Sequence, residues 1–305
     1  MDHLDRCPLC GSKKLKYIEK INKNSLLKLY KNLTGSSYEH IIKSDITYQK
    51  CTECKLYFYN PLFVGDKNFY DDIQKFDWYY LDDKEEYRFA SKLINSHHKV
   101  LDVGSGKGAF SKFVNKDNYL GLDFNQEAIN KASLDGIKVK NEFIENFAND
   151  NSGIFDFVVS FQVLEHVKDP KSFLSSKILA LKPGGKLIIA VPSEDSFLKF
   201  ATNNAMNMPP HHVTRWTDHT LREIANIFDL KLIDVYHEQV QEIHIKWYYN
   251  IFLNHLFINN KLIDMSLIRK FINLFFHFIS KWISKRHNNF PLPNGHTVVA
   301  IYEKK

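Results

Sequence analysis

The sequence predicts an α/β protein built on a doubly wound, mostly parallel sheet. A small cysteine-bearing module precedes the sheet, and a helical insertion interrupts it before the last strand. Three observations carry this reading. From Val100 onward, short apolar runs bounded by glycine or proline alternate with amphipathic stretches, the pattern of parallel strands covered by helices on both faces. The run Val100-Leu101-Asp102-Val103 opens into Gly104-Ser105-Gly106-Lys107-Gly108, a buried strand passing into a glycine turn. Finally, the four cysteines all lie ahead of this region, as two C-x-x-C pairs.

At 305 residues and 44% hydrophobic content the chain is long enough for one large domain with an appendage. The first residues, Met1-Asp2-His3-Leu4-Asp5-Arg6, are charged and unlike a secretory leader. No apolar run is long and charge-free enough to span a bilayer. A cytoplasmic protein is expected. The net charge of +6 and pI near 8.9 admit a nucleic-acid partner. No lysine and arginine block stands out, however, so the charge is read as compositional.

Residues 1–60 read as a zinc ribbon. Cys7-Pro8-Leu9-Cys10 and Cys51-Thr52-Glu53-Cys54 each present two thiolates from one turn, which suits tetrahedral zinc. Four thiolates close such a site, so the metal is expected to be structural. Between the pairs, Ser25–Tyr30 reads as helical and Ile46–Lys50 as a strand. Residues 61–99 form an aromatic, acidic linker that includes Phe69-Tyr70-Asp71-Asp72 and Phe76-Asp77-Trp78-Tyr79-Tyr80. It is read mainly as packing between ribbon and main domain, with lining of an acceptor pocket as the alternative. An amphipathic helix, Glu85 to Asn95, closes the linker.

The main domain occupies 100–246. Strand Val100–Val103 is followed by a helix to about Asn115, whose free N–H groups would point back at a ligand on the glycine turn. Strand Tyr119–Leu122, helix Gln126–Leu134, a short strand Ile137–Lys140 and strand Phe155–Phe161 come next. Helix Lys171–Ala180, a turn at Lys182-Pro183-Gly184-Gly185 and strand Lys186–Val191 follow, then helix Leu221–Ile227 and strand Leu230–Tyr236. Residues 247–291 form an apolar insertion. In it, Leu267 to Ser284 places a wide apolar face against a narrow stripe of Arg269, Asn273, His277, Ser280 and Ser284. Burial in the fold or in a dimer is expected for that face, with peripheral membrane contact as the alternative. Residues 292–305 supply the last strand.

The turn reads G-x-G-x-G, not the dinucleotide fingerprint G-x-G-x-x-G. Asp102 lies on the strand itself, and Asp123 ends the next strand, at the place of a ribose-binding acid. Together these residues resemble the S-adenosylmethionine site of class I methyltransferases. The resemblance implies a Rossmann-like, seven-stranded sheet whose last strand is antiparallel and inserted between its predecessors. It also implies that Gly104, Ser105, Gly106 and Gly108 bracket the methionine and ribose portions. Asp102 would fix the loop and the amino group, Asp123 would take the ribose hydroxyls, and Phe124 would pack on the adenine. Glu142 and Phe143 stand where such enzymes meet the adenine amine. Phe161 and Gln162 would lie beside the cofactor.

Two further segments concern the acceptor. Leu164-Glu165-His166-Val167 resembles the "LEHV" segment of small-molecule and sugar methyltransferases, with His166 a candidate general base. His211-His212-Val213-Thr214-Arg215-Trp216-Thr217 resembles the "HHxxxWT" segment of methyltransferases from polysaccharide and nucleotide-sugar pathways. There His211 or His212 would deprotonate a sugar and Arg215 hold a phosphate. As the other reading, Thr217 caps the next helix. No carboxylate lies at ligand spacing from these histidines, which argues against a metal there. The reading as a whole is an S-adenosylmethionine-dependent enzyme methylating a sugar or nucleotide-sugar. RNA methylation through the ribbon, quinone or lipid methylation, and a non-catalytic zinc-ribbon interaction protein are the alternatives.

Overall fold

The computed structural model describes residues 3–76, 81–258, 261–286 and 293–305. Trp78, Tyr79 and Tyr80 of the aromatic linker lie outside the described residues. The N-terminal module runs β1 (Leu15–Ile21), α1 (Lys23–Thr34), β2 (Ile46–Cys51) and β3 (Tyr57–Asn60). Helix α1 begins where the Asn22 side chain accepts from the N–H groups of Asn24 and Ser25. It ends at Gly35, whose φ of 81° is the left-handed conformation glycine adopts without strain. Helices α2 (Lys67–Ile73) and α3 (Glu85–Ser91) connect the module to the large sheet.

The large sheet starts with β4 (Val100–Val103), β5 (Tyr119–Leu122), α4 (Gln126–Leu134), β6 (Val139–Lys140) and α5 (Ile144–Asp150). It continues through β7 (Phe155–Phe161), α6 (Pro170–Ala180) and β8 (Leu181–Pro192). Then come β9 (Thr214–Arg215), α7 (Asp218–Ile227), β10 (Leu230–Gln239), α8 (Ile245–Phe257), α9 (Leu267–Ser284) and β11 (Asn294–Lys304). The seven strands are ordered β10-β11-β8-β7-β4-β5-β6. β11 runs antiparallel to both β8 and β10, while β8, β7, β4, β5 and β6 pair in parallel. Central strands are buried on both faces, so every residue of β4 is apolar or, at Asp102, buried and hydrogen-bonded.

The structure corrects several expectations. The stretch after the glycine turn is a short 3₁₀ run, Ala109–Phe113, and not an α-helix to Asn115. The glycines at Lys182-Pro183-Gly184-Gly185 sit inside β8, where the register against β7 shifts between Phe155 and Phe157. Helix α5 lacks a clear start signal in the sequence and is held by burial of Ile144, Phe147 and Ala148.

The N-terminal module is tied to the sheet domain by backbone and core alike. β3 pairs with β9, Tyr57 opposite Arg215 and Phe58 opposite Thr214, which gives the small sheet a fourth strand from a distant part of the chain. Cys7, Leu9, Cys51, Cys54 and Leu56 share one hydrophobic core with Trp216, Leu221 and the large sheet.

The α8–α9 hairpin inverts the expected orientation. The residues α9 buries include Arg269, Phe276 and Ser280, and its Asn273 and His277 bond to Asn254 and Lys246 of α8. Leu267, Ile268, Phe271, Phe275, Phe278 and Trp282 are all exposed. Burial of the apolar face in the fold does not occur. Among the described residues no helix is long and apolar enough to cross a membrane.

Candidate active site

The glycine turn is built by its neighbours. Gly104 has φ +78°, and a Cβ there would come to 2.4 Å from Val163 Cγ2. The N–H groups of Gly104 and Ser105 donate to the Leu122 carbonyl at 2.8 and 3.0 Å. This couples the turn after β4 to the end of β5. There Asp123 accepts from the Gly106 N–H at 2.6 Å and from the Asn125 N–H at 2.8 Å. Two backbone donors hold the carboxylate at the mouth of the turn. Because a 3₁₀ run follows the turn, no α-helix N-terminus stands behind it.

A cavity of 1230 Å³ joins this turn to the histidines. Gly104, Ser105, Gly106, Asp123, Phe124, Glu142, Phe143, Phe161 and Gln162, all candidates from the sequence, line it. Phe124 and Phe143 face one another with ring centroids 3.9 Å apart and are half exposed. Gln162 sits at φ 58°, a strained conformation for a residue with a Cβ, and such strain gathers at ligand sites. Its amide reaches Glu86 Oε1 and Thr297 Oγ1, both at 3.4 Å.

Two of the predicted cofactor residues play other parts. Gly108 is not on the cavity wall; at φ +75° its missing Cβ makes room for Ile137, which would otherwise lie 2.7 Å away. Asp102 lies beneath the turn, buried, and accepts from the Tyr119 hydroxyl at 2.8 Å. Burial pushes its carboxyl up to about 7, against the lowering effects of the Tyr119 bond and of Lys177.

The three predicted catalytic histidines converge. β7 delivers a 3₁₀ turn, Leu164–His166, and the Val213 N–H donates to the Glu165 carbonyl at 2.8 Å, which brings the second histidine loop alongside. One ligand-capable nitrogen from each of His166, His211 and His212 lies within 4.8 Å of the others. Their Nδ1 atoms meet the His211 carbonyl at 2.8 Å, the Met206 carbonyl at 2.8 Å and Asn207 Oδ1 at 3.0 Å. Nε2 of His166 and of His212 each lie 3.9 Å from Glu165 Oε1. The sequence spacing offered no carboxylate, yet the fold supplies Glu165. Burial lowers all three imidazoles, His166 to about 4, so the rings are neutral. Burial likewise pushes the Glu165 carboxyl up to about 8.

Arg215 does not face the cavity. Its guanidinium donates to the Asn207 carbonyl, at 2.7 Å from Nη2, and lies over the rings of Tyr48 and Tyr59. It holds the histidine loop onto the N-terminal module and has no hand free for a phosphate. Trp216 is core, and Thr217 caps α7 by accepting from the Thr220 N–H, as the alternative reading had it. Tyr70 lines the cavity, as the alternative reading of the aromatic linker allowed, whereas sequence reasoning missed Glu86 and Asn207. Tyr70 and Glu86 belong to α2 and α3, whose placement over the sheet edge no local pattern encodes.

The four cysteines also converge. Cys7 and Cys54 Sγ atoms are 3.5 Å apart, and those of Cys10 and Cys51 are 3.6 Å apart, all four lying within 4.8 Å. Sulfurs bound at about 2.3 Å around one tetrahedral zinc would be about 3.8 Å apart.

A seven-stranded sheet in this order, with β11 running against its neighbours and a glycine turn after β4 answered by an acid after β5, defines the Rossmann-like fold of class I methyltransferases. The chain belongs to the family described as "Methyltransferase domain", whose model matches residues 76–235, just over half of it. It is 34% identical over 100 residues to the ubiquinone biosynthesis O-methyltransferase of Vibrio parahaemolyticus, a match covering 30% of this chain and 43% of that protein. To the enzyme of the same name from Pectobacterium atrosepticum it is 31% identical over 150 residues, 41% of this chain and 62% of the other. The matches thus span less than two thirds of these relatives. Among solved structures, a SAM dependent methyltransferase from Archaeoglobus fulgidus is 18% identical with a TM-score of 0.48, covering 78% of this chain and all of that one.

Proposed function

We propose that this protein transfers a methyl group from S-adenosylmethionine to a small polar acceptor, a sugar or nucleotide-sugar, at carbon or oxygen. One observation carries the reading. A single cavity contains both the glycine turn with Asp123 and the Glu165–His166–His211–His212 cluster. One half suits a nucleoside with an amino-acid tail, and the other half suits an acceptor that must lose a proton.

The residues of the first half fit the cofactor. The cradle at Gly104, which a Cβ would fill, admits a close-lying tail. Asp123 is held to accept ribose hydroxyls, Phe124 and Phe143 offer an apolar platform to the purine, and Glu142, Phe161 and Gln162 border it. When bound, the cofactor supplies an electrophilic methyl on a sulfonium. The protein's own work is to align the acceptor and take its proton. A neutral His166 or His212 ring can accept that proton, each with its Nε2 3.9 Å from Glu165 Oε1. The four cysteines would hold a structural zinc, closed to substrate by its four thiolates.

Two observations bear on the rival acceptors. The cysteines share the core of the main sheet, so they are not a free ribbon for gripping RNA. A quinone or catechol acceptor is the second reading, favoured by the names of the matched relatives and by Tyr70, Ile243 and Trp247 on the cavity wall.

Calorimetry with S-adenosylmethionine and S-adenosylhomocysteine tests the first half; absence of binding to folded protein sinks the proposal. Transfer of a labelled methyl group to a panel of nucleotide-sugars and of catechols tests the second. Turnover confined to catechols moves the assignment to the quinone class.

A further inference from the structure

We propose that His166, His211 and His212, with Glu165 beside them, form a second metal site, for a divalent first-row transition cation. This inference rests on the reading of the cavity as a methyl-transfer site and adds to it an ion on the acceptor side. It is distinct from the cysteine cluster, which lies in the N-terminal module.

The chemistry of the donor set supports it. Three imidazoles with ligand-capable nitrogens within 4.8 Å of one another can face a single ion. A ligating histidine characteristically gives its other N–H to a carbonyl or carboxylate, which fixes the tautomer and the ring. All three do so here: Nδ1 of His166 to the His211 carbonyl, of His211 to the Met206 carbonyl and of His212 to Asn207 Oδ1. Such an arrangement commits the proton to Nδ1 and directs Nε2 of His166 and His212 to the same side as Glu165.

Glu165 is the second, independent observation. It is 1% exposed, and neither carboxylate oxygen has a hydrogen-bond partner. A buried carboxylate without donors is costly unless a cation or a proton compensates it. The structure places that unpartnered carboxylate against two of the three imidazoles. A set of three neutral nitrogens and one carboxylate suits zinc, iron(II), cobalt(II) or manganese(II) better than calcium or magnesium, which take oxygen ligands. The site opens onto the same cavity as the glycine turn. An acceptor hydroxyl coordinated there would be acidified by the ion, and the histidines would then serve as ligands in place of bases.

The test uses the full chain with its cysteine site loaded with zinc. Cobalt(II) is titrated in, and metal content is measured after desalting. The expected result is one further equivalent bound, with ligand-field absorption in the visible and no thiolate-to-metal charge-transfer band. His212→Ala and Glu165→Gln should each weaken that second equivalent at least about tenfold while zinc on the cysteines stays at one per chain. Binding of no more than one metal per chain, or a second cobalt equivalent indifferent to both variants, overturns the proposal. If His212→Ala fails to fold, the wild-type stoichiometry and spectrum decide. Calorimetry with S-adenosylmethionine on the same samples separates the two readings. Cofactor binding without a second metal removes only the metal site, whereas no cofactor binding removes the methyl-transfer reading.

A different observation carries a second inference. The outer face of the α8–α9 hairpin presents Phe271, Phe275, Phe278 and Trp282, each more than 60% exposed. No acidic residue occurs between Asp264 and Glu303, while Lys270, Lys281, Lys285 and Arg286 are exposed there. An apolar face on a helix whose charges are all positive is complementary to an anionic bilayer surface. We infer that this hairpin docks on anionic membrane. Co-sedimentation with vesicles of equal phosphatidylglycerol and phosphatidylcholine should exceed that with phosphatidylcholine alone and fall with salt. Phe271→Glu with Phe278→Glu, both at exposed positions, should reduce it at least about tenfold and leave the fold intact. No vesicle binding, or a dimer in sedimentation equilibrium that the same variant dissociates, overturns it.

Discussion

The backbone N–H of Gly106 donates to the carboxylate of Asp123 at 2.6 Å, tying the turn after β4 to the end of β5. The bond fixes the acid at the cavity wall. The other oxygen of the same carboxylate is held by the Asn125 N–H. Replacing Asp123 therefore removes a brace of the turn and, under the proposed function, an acceptor for the cofactor's ribose. Charge-assisted hydrogen bonds are worth about 1.5–3 kcal/mol each. Asp123→Ala should weaken S-adenosylmethionine binding by about 10- to 100-fold in calorimetry, with Asp123→Asn intermediate. Unchanged affinity would remove Asp123 from the site.

Gly104 admits no side chain. Gly104→Ala places a Cβ 2.4 Å from Val163 Cγ2 at a φ of +78°. Clash and backbone strain together should cost about 2–4 kcal/mol in denaturant unfolding. Adding Val163→Ala relieves the clash and leaves the strain, so the double variant should recover part of the loss. No recovery would mean that backbone conformation alone sets the cost.

Asp102 makes stability depend on pH. Its carboxyl is raised from an ordinary value near 3.8 to about 7. The folded state therefore binds more protons than the unfolded state between those values, and stability falls as pH rises through that window. Tyr119, Lys177, Asp123 and Lys84 are the titratable groups that act on it. Asp102→Asn has no charge to bury, so its melting temperature relative to wild type should rise between pH 5 and pH 8. A difference that stays flat with pH would place the charge elsewhere.

The cysteine cluster should support the acceptor loop. β3 follows Cys54 and pairs with β9, which lies two residues beyond His212. Cys54 is buried in the core that includes Trp216. Cys54→Ser should remove about one zinc per chain by elemental analysis and lower the melting temperature by several degrees. Acceptor turnover should fall more than cofactor affinity, because the glycine turn is braced by Leu122 and Val163 and not by β9. Equal loss of both would indicate global unfolding.

Much of this protein was legible in its sequence. Glycines at alternate positions, an acid at the end of the next strand and paired C-x-x-C knuckles are local signals. Each is set by what a single turn of backbone can do. Strand and helix alternation from Val100 to Tyr236 followed from apolar periodicity, and the last strand from its own run. Tertiary structure alone decided the rest. Glu165 and His212 are far apart in the chain, and bonds from Val213 to the Glu165 carbonyl and from His166 to the His211 carbonyl bring them into one cluster. Arg215 looked like a phosphate ligand, but pairing of β3 with β9 turned it inward onto Asn207. Amphipathicity showed that α9 has two faces, but not which one the protein would cover. That choice fell to α8, whose Asn254 and Lys246 meet Asn273 and His277 and leave the apolar face outward. Periodicity specifies the existence of a face, whereas contacts between distant segments specify its partner.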